Sequence, residues 1–173
     1  MNTKTNFLYA ALLVAMGAIV GFLESLLPIP IITQVPGIKL GFANIVNVVC
    51  IALLGKKYAL AVGLIRPVVV FLFSGNIFSL ALSLCGAAAS LAGVLTFYFL
   101  REKGFISYVG LSAVSAALHI TGQLLCAGFI MKTTKLFAYA PLLIILSCVC
   151  AVVTGIVMNM VIPIVKRSLK AGA

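Results

Sequence analysis

Arg66 stands in the middle of an apolar run, LAVGLIRPVVVFLF, with a proline directly after it. About twenty residues earlier, at residues 34–47, QVPGIKLGFANIVN carries a Pro-Gly turn, then Lys39, then an apolar segment bearing Asn44 and Asn47. In hydrocarbon an unpaired arginine or asparagine is costly, so such groups face a protein interior or a watery cavity. Glu24, Asn76, and the pair His119 and Gln123, one helical turn apart, extend the set. Lys39 and Arg66 supply positive charge, while the asparagines and the glutamine supply directed donors and acceptors. That chemistry suits an anionic or strongly polar small molecule. A second reading stays open, in which Glu24 pairs internally with Arg66 or Lys39. For His119 the plainer reading is a satisfied interior residue.

The elements that hold these groups follow from the hydropathy. The chain is 64% hydrophobic and 8% charged over 173 residues, which excludes an ordinary soluble domain. Apolar runs recur from end to end, so residues 1–173 read as a single all-α transmembrane domain. Six helices are predicted, at about 7–27, 40–54, 58–73, 77–100, 105–130 and 138–165. The second and third are short for a bilayer core of about 30 Å. Short spans bearing polar residues are where transporters place their sites; local thinning and snorkelling lysines are the milder explanation. Pro67 is expected to loosen or kink the third helix.

Lysine and arginine set the orientation. With the N-terminus inside, eight of them fall on the cytoplasmic side (Lys4, Lys56, Lys57, Arg101, Lys103, Lys166, Arg167, Lys170) and three outside (Lys39, Lys132, Lys135), which puts both termini in the cytoplasm. Under that topology Glu24, Lys39, Asn44, Asn47, Arg66, Asn76, His119 and Gln123 all lie between the midplane and the outer surface. Asn159 breaks the trend. Such one-sided clustering is what a pocket open to the outside requires. The first helix is read as retained, since no small-residue cleavage site follows a short apolar region. The connection at 28–39, with its three prolines and one glycine, is either a cover over that pocket or a plain connector.

Several function classes drop out. The formal charge of +10 sits mostly at the ends of apolar runs, and no basic stretch is interleaved with aromatics, so nucleic acid is not the partner. Five cysteines inside apolar segments and a single histidine make neither a disulfide framework nor a metal centre. Gly55-Lys56-Lys57 lacks the spacing of a phosphate-binding loop. No carboxylate is spaced to orient His119 for nucleophilic catalysis. Serine stripes on the fourth and fifth helices are weak evidence, because hydroxyls satisfy themselves on their own backbone. In the first helix Ala11, Ala15 and Ala18 share a face beside Gly17 and Gly21. Small residues let another helix approach closely, either within this chain or from a partner.

PGIKLGFANIV, the arginine of the third helix and the small-residue stretch SLCGAAASLAG together resemble the Gx transporter family, also labelled heptaprenyl diphosphate synthase component I. The resemblance covers nearly the whole chain. That family in turn looks like the substrate-binding S components of energy-coupling factor (ECF) vitamin transporters. Those have six helices, cytoplasmic termini, an external first loop over the ligand, and an A-x-x-x-A motif matched here by Ala11 and Ala15. The resemblance implies a non-enzymatic binding subunit in a prokaryotic cell membrane, needing no cofactor and working with a transmembrane T component and two ATPase subunits. It does not carry over a substrate. The synthase label meets a chemical obstacle: prenyl diphosphate synthases resemble one another in aspartate-rich motifs that hold magnesium, and this chain has no aspartate. A non-catalytic accessory role in isoprenoid or quinone precursor metabolism is the alternative.

Overall fold

A computed structural model of the chain describes residues 3–26 and 38–171, with side chains through 167. Six α-helices run in order: α1 (Thr3–Leu26), α2 (Ile45–Leu54), α3 (Lys56–Ser74), α4 (Ile77–Glu102), α5 (Tyr108–Met131) and α6 (Ala140–Ala171). Short 3-10 turns, Phe42–Asn44 and Lys135–Tyr139, lead into α2 and α6. The described residues contain no strand. Among the described residues, five helices are long and apolar enough to cross a membrane; α2 with its leading turn, Phe42–Leu54, is shorter. At about 1.5 Å per residue that piece covers about 20 Å, so the prediction of a short second span holds. The third is longer than predicted, because α3 begins at Lys56 and not near 58.

The helix ends have local causes. Gly55 alone joins α2 to α3: at φ 90° it adopts a backbone conformation that suits glycine. Its N–H closes α2 on the carbonyls of Cys50 and Ile51, and its carbonyl accepts from Ala59 N–H. α4 starts where Asn76 accepts from Ser79 N–H at 3.0 Å, and α5 where Ser107 accepts from Gly110 N–H at 3.2 Å. That cap sets the start of α5 at 108, three residues after the sequence expectation. α3 continues as helix through Pro67, which is buried. The segment expected to cover a pocket lies outside the described residues, apart from residues 38 and 39.

Helix packing uses small residues. α4 and α5 lie close because a Cβ on Gly122 would stand 2.7 Å from the Cys85 carbonyl, and one on Gly86 would stand 2.8 Å from both Gln123 and His119. Serines bridge helices as well: Ser90 meets Ser115 at 2.7 Å, and Ser112 meets Thr154 at 3.0 Å. The serine stripes are thus largely structural. The end of the bundle where α1 and α3 start carries the main apolar core, including Val48, Cys50, Val62, Val94, Leu111 and Met158. Outward faces of α1, α3 and α6 are leucine, isoleucine, valine and phenylalanine, as a bilayer requires. α1 is the least buried of the five long helices at 22%, against 50% for α4.

Candidate functional site

The polar groups gather at the other end of the bundle. Gly41, at φ +92°, turns the chain into the 3-10 turn ahead of α2. The turn leaves its N–H free to donate to Glu24 Oε1 on α1 at 2.5 Å. Arg66 comes across from α3 with its guanidinium donating to the Ala43 carbonyl, and at 3.5 Å to Asn44 Oδ1. Its aliphatic stem needs Gly17 on α1, where a Cβ would lie 2.8 Å from Arg66 Cδ. Of the glycine pair predicted as a packing face, Gly17 makes room for the arginine and Gly21 packs against Val70 and Ala43.

Gln123 joins the fifth helix to the segment before α2. Its Oε1 accepts Lys39 N–H at 3.1 Å, which fixes the amide orientation, since a backbone N–H needs an acceptor. The amide nitrogen then faces His119 Nε2 at 3.0 Å and donates to it. His119 Nε2 is the acceptor, so the ring is neutral with its proton on Nδ1, beside Gly86.

Glu24, Lys39, Arg66 and His119 line one small cavity, together with Ser83 and the apolar wall of Gly21, Ala43, Pro67 and Val70. All four are buried. Two cations and one carboxylate surround the same space, yet among the described residues no carboxylate oxygen lies within 4.0 Å of an arginine or lysine nitrogen. The internal ion pair that the sequence left open is absent there. Of the seven buried side-chain polar atoms lacking a hydrogen-bond partner among the described residues, four belong to this end, Glu24 Oε2, Asn44 Nδ2, Ser83 Oγ and His119 Nδ1, and both amide atoms of Asn47 lie a turn deeper, between Val46 and Val48 of the apolar core. Each such atom costs about 1–3 kcal/mol unless something answers it. Burial pushes the Lys39 ammonium below the ordinary lysine range, with Glu24 pulling it partly back. The cavity is about 20 Å³, room for about one water.

The predicted residues fare differently. Glu24, Lys39, Arg66 and His119 face the cavity, while Asn44 and Gln123 brace it through Arg66, His119 and the Lys39 backbone. Asn47 is fully buried but outside the lining. Asn76 is exposed and spends its side chain capping α4. On α1, Ala11 and Ala15 are exposed, and Ala18 is buried within this chain. Sequence reasoning missed Gly41 and Ser83. Gly41 was signalled by its place just ahead of a helix; Ser83 had no signal beyond its stripe.

Among the described residues no three histidine, cysteine or acidic side chains cluster to hold a metal ion. A family model described as heptaprenyl diphosphate synthase component I matches residues 13–161. No curated protein and no solved structure matches the chain. The family match takes in most of the chain and every residue of the polar cluster. This helical membrane bundle belongs to the heptaprenyl diphosphate synthase component I family, also called the Gx transporter family.

Proposed function

We propose that the chain is the substrate-binding membrane subunit of an ECF-type importer in a prokaryotic cell membrane, capturing a small polar or anionic metabolite. One observation carries this reading: Lys39, Arg66 and Glu24 converge on a single cavity without closing on one another. A purely internal network would pair them, because a buried charge is stable only when answered. An anion's oxygens would meet Arg66 and Lys39, and a hydroxyl or amine would meet Glu24 Oε2. Gln123 and His119 would hold the far wall.

A metabolite of vitamin size needs several hundred Å³, far above the present volume, so binding requires a wall to move. α1 is the candidate, being the least buried long helix. The exposed Ala11 and Ala15 offer a face for a transmembrane T component, which two ATPase subunits would drive. In this reading the chain is not an enzyme and needs no cofactor. Arg66→Ala should cost at least a hundredfold in ligand affinity while the protein still folds; unchanged affinity would remove Arg66 from the site.

The family description favours a second reading, since it speaks of one component of a synthase. With no aspartate in the sequence to hold magnesium against a diphosphate, this chain's part there would be accessory. Co-purification with a prenyl synthase subunit in place of T and ATPase subunits would favour it.

A further inference from the structure

A second space lies against the polar cavity. α1 and α3 form an apolar groove of about 480 Å³ lined by Ala15, Ala18, Phe22 and Leu23 on one side and Val69 and Phe73 on the other. The polar cavity uses the neighbouring residues of the same two helices, Gly21 and Glu24 with Pro67 and Val70. The two spaces are therefore back to back across one seam. That seam is thin: Gly21 presents no side chain, and a Cβ there would stand 3.4 Å from Val70. Along α1 the groove runs eight residues from Leu23 to Ala15, about 12 Å. Near Leu23 it reaches the level of Glu24, and Phe22 and Phe73 meet there with ring centroids 6.4 Å apart.

We infer that the ligand is a single-chain anionic amphiphile, its head held by Arg66 and Lys39 and its tail laid in the α1–α3 groove, entering sideways from the membrane through the Gly21–Val70 seam. This deepens the proposed binding role and rests on it. Charge complementarity selects the head, because two cations face one carboxylate in the cavity. The groove, with an almost wholly apolar lining, selects an alkyl or isoprenoid-like tail. Lateral entry also relieves the volume problem, since only the head must fit between the helices. Ala15 would lie beneath the tail, so in this arrangement the partner face on α1 falls to Ala11, which is not among the groove's lining residues.

The test uses the full chain in phosphatidylcholine nanodiscs, with methyl, butyl and octyl phosphate as probes and empty nanodiscs subtracted. Octyl phosphate should bind at least tenfold more tightly than methyl phosphate once its partitioning into the bilayer, itself about fourfold per methylene, has been divided out. Val69→Trp, which fills the groove from its lipid side, should remove most of that gain and leave methyl phosphate affinity unchanged. Arg66→Gln should weaken all three. Equal affinity for the three probes, or an octyl gain that survives Val69→Trp, would overturn the groove while leaving an Arg66-dependent anion site standing. No Arg66-dependent binding of any probe would overturn the proposal together with the anion site beneath it.

Discussion

The two ends of this bundle follow opposite rules. Where α1 and α3 begin, Val48, Cys50, Val94, Leu111 and Met158 are buried at 1% exposure or less and interlock without polar demands. Where α1 and α3 end, Glu24, Asn44, Ser83 and His119 are buried at 3–8% exposure but leave polar atoms unanswered. The first end is built for stability and the second tolerates a cost. Both ends occur in the same helices, so the difference lies in side chains and not in backbone. A fold that concentrates such a cost around one cavity has a use for it there.

Substitutions at the two ends should therefore separate binding from stability. The largest effect is expected from Arg66→Ala, with affinity down at least a hundredfold and the helical content retained by circular dichroism. Gly86→Val comes next: with a Cβ alone 2.8 Å from His119 and Gln123, it should displace both and lower affinity about tenfold or more, read by titration. Leu111→Ala, at the apolar end, should do the reverse. It should cost about 2 kcal/mol or more of stability through the cavity it leaves, visible in detergent melting, with affinity within threefold. An equal loss of affinity there would erase the contrast between the ends.

A pH series sharpens the polar end. The protonated form of Lys39 attracts an anion, and burial lowers its pKa from the ordinary 10.5. Affinity should thus fall as pH rises, beginning below the range where an exposed lysine loses its proton. Lys39→Arg keeps its charge at those pH values and should flatten the decline; a decline that persists would assign it elsewhere. The smallest effect belongs to Asn76→Ala, which should cost about 1 kcal/mol of stability by removing the α4 cap and leave binding untouched.

Much of this was readable in the sequence. Hydropathy gave the helices because each must cross or pack within hydrocarbon, and the clustering of Glu24, Lys39, Asn44, Arg66, His119 and Gln123 followed from the cost of placing such groups anywhere else. The bonds themselves were not readable. Gln123 binds the backbone of Lys39, 84 residues away, and Arg66 chooses a carbonyl at Ala43 over the carboxylate of Glu24. Side-chain type limits such choices, but only the packed helices make them. Asn76 carries a local signal of another kind: asparagine three residues ahead of Ser79 is a capping pattern, and the structure uses it as one. For Ala18, spacing marks a small-residue face without saying which side of it the chain itself covers.

The central claim is that the cavity bounded by Glu24, Lys39, Arg66 and His119 holds a ligand. Native mass spectrometry of the protein extracted gently from its own host, beside Arg66→Ala prepared the same way, tests it most directly. The account predicts a small molecule retained by the first and lost from the second, at unchanged protein mass apart from the substitution. A molecule retained equally by both, or by neither, would contradict it.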